Sequence, residues 1–155
     1  MHSYKLNIDA AFYNGAGVVG DILRDHRGEA LAGAAWPLPN LLDASTLEAT
    51  ALQKGLMFIE QIGATPVIIE TDSLELSQAY NGITEVWSPY SAIITDCFIR
   101  AHRIGGITVQ HCRREANMVA HNLARHVVDS SSSVFWDSEP PSFIMPGVMN
   151  DVSMF

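Results

Sequence analysis

The chain has 155 residues, of which 48% are hydrophobic and 17% charged, and its formal net charge is −8. This length allows one domain with a self-sufficient core, and the apolar fraction excludes a disordered chain. The acidic balance argues against strong sequence-independent binding to nucleic acid. Arginines nevertheless cluster in the last third of the chain: Arg100, Arg103, Arg113, Arg114 and Arg125.

The first part of the chain predicts three strands joined by turns. Residues 4–12 alternate between apolar and polar side chains, as in a half-buried strand, and Asn14-Gly15 is a strong hairpin signal. Residues 17–25 and 29–36 are the second and third predicted strands, with a turn at 26–28 between them.

Three glycines in this region match a cofactor fingerprint. Gly15, Gly17 and Gly20 have the G-x-G-x-x-G spacing of dinucleotide-binding sites, but that motif must open a helix. Only seven residues separate Gly20 from the turn glycine Gly28, and they carry no helical stripe. We therefore expect the glycines to lie in a hairpin and a strand, with no dinucleotide bound.

The rest of the ordered region alternates between helices and strands. It predicts helices at 42–63, 73–82, 88–106 and 114–128, and strands at 66–70 and 107–112. Gly63 ends the first helix, and Ser88 and Pro89 begin the third. The order β-β-β-α-β-α-α-β-α predicts an α/β fold with a five-stranded mixed sheet and helices on both faces.

Residues 1–129 are predicted to form this single domain. A Ser-rich connection and an apolar tail follow at 130–155, and we expect the tail to pack on the domain or on a protein partner through Phe135, Trp136, Phe143 and Ile144. Cys97 and Cys112 form neither a disulfide framework nor a metal-ligand spacing, which favours an intracellular, cytoplasmic or nuclear setting. No signal peptide or membrane-spanning run is predicted.

Three carboxylates are candidates for one site. Asp9 lies on the polar face of the first predicted strand, so the alternative to a site residue is an acid that faces solvent. Glu48 lies on the apolar stripe of its helix, although Ser45-x-x-Glu48 is also a capping box. Asp72 ends a strand, where α/β sheets bind ligands, but Asp72 or Ser73 could simply be the N-cap of the next helix, which is the favoured interpretation of this position taken alone. If the three acids converge, a divalent cation would relieve their repulsion.

Four segments in this order resemble a ribonuclease H-like domain: NIDAAF, TLEATAL, IIETDS and HCRREANMVAHNLAR. The resemblance covers about residues 4–128 and is closest to the reverse-transcriptase-associated ribonuclease H family that is abundant in plants. It implies that Asp9, Glu48 and Asp72 are catalytic and bind two Mg²⁺ or Mn²⁺ ions. The implied reaction is hydrolysis of the RNA strand of an RNA–DNA hybrid.

The resemblance also implies roles for further residues, and at some positions this chain departs from the family pattern. His121 occupies the place of a fourth catalytic acid, and His111 matches a histidine that assists the reaction or product release. The implied substrate-binding residues are Asn117, Ser73 and Arg113. Ala44 and Leu74 replace polar residues with which relatives sense the hybrid. Two functions stay open: a metal-dependent ribonuclease, or a catalytically degenerate module that binds nucleic acid or a protein.

Overall fold

The structure is a computed structural model that describes residues 2–13, 16–38, 43–83, 90–118, 120–122 and 134–137. For Tyr13, Ala116 and residues 134–137 it describes the backbone alone. The strands are β1 (Tyr4–Tyr13), β2 (Ala16–Arg24), β3 (Ala30–Leu38), β4 (Val67–Thr71), β5 (Ile107–His111) and β6 (Val134–Asp137). The helices are α1 (Ala44–Ile62), α2 (Leu74–Tyr80), α3 (Ser91–Ile104) and a 3₁₀ turn at Arg114–Asn117.

The strands form one mixed sheet in the order β5-β4-β1-β2-β3-β6. β1 pairs in parallel with β4, and β4 with β5, whereas the pairs β1–β2, β2–β3 and β3–β6 are antiparallel. The predicted mixed sheet with helices is confirmed. The described part of the chain adds a sixth strand, β6, because residues of the predicted tail pair with β3.

Two glycines of the motif, Gly17 and Gly20, lie in the β1–β2 hairpin. Tyr13 pairs with Ala16 across the turn, and Asn14 and Gly15 themselves lie outside the described residues. Gly17 and Gly20 are strand residues of β2, and Gly20 pairs with Asp9. Gly17 and Gly20 therefore lie in a strand, as predicted, and do not open a helix.

Helix α1 packs on β1 and β2 through its apolar stripe. Leu52, Leu56 and Ile59 are fully buried there. Gly55 allows a close approach, since an added Cβ would lie 3.0 Å from Ile8 Cγ2 and 3.1 Å from a Leu6 methyl carbon. This packing fixes α1 against the central strand of the sheet.

The start of α1 differs from the predicted capping box. Asp43 is the N-cap, and its carboxylate accepts a hydrogen bond from the Thr46 backbone N–H at 2.7 Å. Because α1 begins at Ala44, Ser45 lies inside the helix and is not its N-cap, so the capping-box interpretation of Ser45 and Glu48 is wrong. Helix α3 begins at Ser91, and the residues predicted to start it, 88 and 89, lie outside the described residues.

The end of the chain is described only in part. Met118 and residues 120–122 are helical, whereas residues 119, 123–133 and 138–155 lie outside the described residues. Those ranges include Arg125, the predicted domain boundary at 129, and Phe143 and Ile144, so the boundary and the docking of the tail stay predictions. None of the helices in the described ranges has the length and apolarity needed to cross a membrane.

Candidate metal and catalytic site

Three carboxylates from separate elements meet at one end of the sheet. Asp9 lies on β1, Glu48 lies in the second turn of α1, and Asp72 follows β4 directly. Because β1 and β4 are parallel, with Ile8 opposite Thr71, the residues that follow this pair emerge side by side. One ligand oxygen from each of the three side chains lies within 4.8 Å of the other two. The predicted convergence is therefore seen.

Burial and mutual repulsion perturb this group. Asp9 is only 4% exposed, so the solvent-facing alternative is wrong. Desolvation, with the charge of Asp72, raises the pKa of Asp9 from 3.8 to about 6, while His121 opposes the rise. Desolvation, with the charges of Asp9 and Asp72, raises the pKa of Glu48 from 4.5 to about 8. Asp9 and Glu48 thus resist ionisation at this point unless a cation binds there.

The residues fit a divalent metal ion. Glu48 Oε2 is buried and has no hydrogen-bond partner among the described residues, so a ligand oxygen there is uncompensated. Three carboxylates are a hard, all-oxygen donor set of the kind that Mg²⁺ and Mn²⁺ prefer. Asp72 is also free of a capping role, since Ser73 caps α2 by accepting from the Leu76 N–H at 3.1 Å.

His121 joins the site through Asp9. Its Nδ1 lies 3.0 Å from Asp9 Oδ2, and its side chain is 22% exposed. When Nδ1 carries its proton, the imidazole donates to the carboxylate and occupies one of the two oxygens that Asp9 can offer. His121 therefore holds Asp9 without adding a carboxylate of its own.

The carboxylates open into a cavity of about 1040 Å³. His111, at the end of β5, lies in its wall together with Arg113, Ser73 and Arg114. His111 and the two arginines are exposed, so two cationic side chains line the same cavity as the three carboxylates. The other described arginines of the cluster lie elsewhere, because Arg100 and Arg103 bind Glu60 of α1.

Asn117 does not reach this cavity. Its side chain is 1% exposed, and its Nδ2 donates to the Ile8 carbonyl at 2.7 Å. The predicted direct contact with a substrate is therefore not available to Asn117 in this structure. The side chain instead ties the 3₁₀ turn to β1, directly before Asp9.

One polar cluster in the cavity wall was not predicted from the sequence. Ser45 Oγ donates to Glu75 at 3.2 Å, and Tyr90 Oη donates to Glu75 Oε1 at 2.7 Å. The three residues stand at the beginnings of α1, α2 and α3 and all line the cavity. A clue was present in the sequence, since each of the three falls near a predicted helix start.

Comparisons with known proteins agree with this architecture. The family model described as reverse transcriptase-like matches residues 7–127. A structure of RNase H1 from the halophilic archaeon Halobacterium salinarum is 19% identical, with a TM-score of 0.71, over 83% of this chain and 98% of that chain. A search of curated proteins gave no match.

Two further solved structures have the same fold. LC11-RNase H1 from compost, in complex with an RNA/DNA hybrid, is 18% identical with a TM-score of 0.73, over 83% of this chain and 99% of that chain. The prototype foamy virus protease-reverse transcriptase is 17% identical with a TM-score of 0.62, over 81% of this chain and 20% of that chain. The predicted ribonuclease H fold is confirmed, whereas the plant affiliation stays a prediction.

Proposed function

The chain belongs to the reverse transcriptase-like family, and from that membership and its carboxylate site we propose that it is a metal-dependent ribonuclease. Its proposed substrate is the RNA strand of an RNA–DNA hybrid. The observation that carries the proposal is the meeting of Asp9, Glu48 and Asp72 within 4.8 Å in a cavity with cationic side chains. A binding module alone has no use for three acids that repel one another around one point.

Asp9, Glu48 and Asp72 would hold the divalent ions. Two such ions would supply a nucleophile from water and stabilise the charge on the leaving 3′ oxygen. The protein's own part is to hold three carboxylates at one point and to keep Asp9 oriented through His121. Glu48 Oε2 is buried without a hydrogen-bond partner in the part of the chain that the structure describes, which supports this role because a bound cation would satisfy it.

The exposed cations of the cavity wall would bind the substrate. Arg113 and Arg114 follow β5 and can contact backbone phosphates, which is the usual role of arginine in nucleic-acid binding. His111 lies in the same wall, where it can exchange a proton with a substrate or product oxygen. LC11-RNase H1, a protein with the same fold, was crystallised in complex with an RNA/DNA hybrid, and this supports the choice of substrate.

A second function is favoured by one observation. At the place of the fourth acid, His121 binds Asp9 at 3.0 Å and adds no hard oxygen ligand. A site weakened in this way is compatible with a module that binds nucleic acid or a protein and cleaves slowly or not at all. The −8 charge of the chain disfavours strong binding to nucleic acid and so favours a protein as the partner of such a module.

A cleavage assay separates the two functions. A labelled RNA–DNA hybrid is incubated with the full chain and Mg²⁺ or Mn²⁺, beside the variant Asp72→Asn. The proposed ribonuclease cuts the RNA strand, and the variant does not. Binding of the hybrid without any cleavage in either ion would reject the enzyme and favour the module.

A further inference from the structure

We propose that Glu75 is a positioning residue that sets the separation between Glu48 and Asp72. This inference rests on the metal site of the proposed function. Glu75 contacts neither carboxylate in any described hydrogen bond, and it would act through the elements that carry them. The proposal assigns a role to the Ser45–Glu75–Tyr90 cluster, which the reaction itself does not use.

The spacing along the chain connects Glu75 to both metal-binding residues. Ser45 lies three residues before Glu48 in α1, so the two side chains share one side of the helix. Glu75 lies three residues after Asp72, and the cap formed by Ser73 fixes the turn between them. A hydrogen bond from Ser45 to Glu75 therefore joins the helix of Glu48 to the turn of Asp72.

Tyr90 completes the connection from a third element. Its hydroxyl donates to Glu75 Oε1 at 2.7 Å, a favourable length for an O–H···O hydrogen bond. Ser45 donates to both oxygens of the same carboxylate, at 3.2 and 3.3 Å. Two donors from α1 and from the start of α3 thus hold one carboxylate of α2 in a single position.

The Ser45–Glu75–Tyr90 cluster should affect metal affinity because Glu48 and Asp72 come from different elements. Their oxygens bind one ion only if α1 and the β4–α2 turn keep a fixed distance. Groups that orient metal ligands typically affect affinity by 10- to 100-fold, and Glu75 acts one step farther away. We therefore expect a loss of about threefold to tenfold when the cluster is broken.

Mn²⁺ binding to the full chain without nucleic acid tests the proposal. Glu75→Ala and Tyr90→Phe should each weaken Mn²⁺ binding by about threefold to tenfold, measured by calorimetry. Glu75→Gln should stay close to the wild type, because its amide oxygen still accepts from both hydroxyls. The matched control is Gln53→Ala, which removes the Gln53–Asp96 hydrogen bond between α1 and α3 outside the cavity lining and should leave Mn²⁺ binding unchanged.

The variants separate positioning from simple attraction by the charge of Glu75. If charge alone mattered, Glu75→Gln would lose as much affinity as Glu75→Ala, and Tyr90→Phe would lose none; that pattern overturns the proposal. An equal loss in Gln53→Ala would also overturn it, because any contact between the helices would then suffice. Should Glu75→Ala fail to fold, Ser45→Ala and Tyr90→Phe carry the test.

The same experiment distinguishes this inference from the proposed function. A wild-type chain that binds Mn²⁺, with Tyr90→Phe unaffected, rejects the positioning role alone. A wild-type chain that binds no Mn²⁺ rejects the metal site, and both proposals fail. Mn²⁺ binding that responds to the cluster, in a chain that does not cleave hybrids, supports the positioning role and rejects only the ribonuclease.

Discussion

Asp21 is a carboxyl group in the core, and replacing it should change the pH dependence of stability. It lies on β2 between Ile8 of β1 and Ala34 of β3, and its exposure is 0%. An added Cβ on Gly55 of α1 would lie 3.8 Å from Asp21 Oδ1, so the side chain faces the helix. Neither carboxyl oxygen has a hydrogen-bond partner among the described residues.

Burial raises the pKa of Asp21 well above its ordinary value of 3.8. The folded chain therefore keeps a proton that the unfolded chain releases above about pH 4. While Asp21 stays protonated, the free energy of unfolding falls by about 1.4 kcal/mol for each pH unit above that value. The loss is therefore at most about 3 kcal/mol at pH 6 and at most about 4 kcal/mol at pH 7.

The variant Asp21→Asn keeps the shape of the side chain and has no group that titrates in this pH range. Its stability should equal that of the wild type near pH 4 and exceed it increasingly as the pH rises. Urea unfolding of both chains with a chelator present, at several values between pH 4 and 7.5, measures the difference. Other titrating groups cancel in this difference because both chains contain them.

Asp43→Asn is the control of opposite sign. Hydrogen bonds from Thr46 lower the pKa of this exposed N-cap, so its stabilising effect is present above the unfolded pKa and is lost as the pH falls.

Parallel stability curves for the wild type and Asp21→Asn would refute the reasoning. Asp21 would then be ionised in the folded chain and compensated by a partner.

Three further predictions concern the site and the tail. Removing the charge in Asp72→Asn should abolish Mn²⁺ binding and, without metal, lower the pKa of Glu48 from about 8, as followed by NMR titration. His121→Asp should raise Mg²⁺-dependent cleavage because it restores a hard oxygen ligand, and the gain should vanish when Asp9→Asn is added. If the wild type already cleaves well with Mg²⁺ and His121→Asp cleaves at the same rate, then His121 does not limit activity. Ending the chain at Ser133 removes β6 and should lower the Tm by at least about 2 °C, which differential scanning calorimetry would detect; an unchanged Tm would contradict a stabilising role for the tail.

Local sequence patterns were sufficient to predict most of the sheet and the convergence of the carboxylates. Alternation in β1, the break after Gly63 and the short apolar run of β4 each reflect constraints within a few residues. Asp9, Glu48 and Asp72 could be brought together because the ends of parallel neighbouring strands meet, and because Glu48 lies on the side of α1 that faces the sheet. The order of motifs then restricted the fold to one family.

The remaining features depend on contacts between distant residues. Ser45 and Glu75 are 30 positions apart, so their hydrogen bond has no local pattern, and Ser45 matched a capping box that Asp43 replaces. Asn117 is polar and near the site, yet its partner is a backbone carbonyl 109 positions away. The burial of Asp21 was hidden because an acid in a strand usually faces solvent.

The two edge strands of the described sheet, β5 and β6, are short. β5 has five residues and β6 has four, whereas β1, β2 and β3 have nine or ten. Without β6, the nine-residue β3 would present a row of unpaired peptide groups to other chains, which is a known route to aggregation. Pairing with β6 covers four positions of β3, so a chain that ends at Ser133 is expected to precipitate sooner in concentrated solution than the full chain.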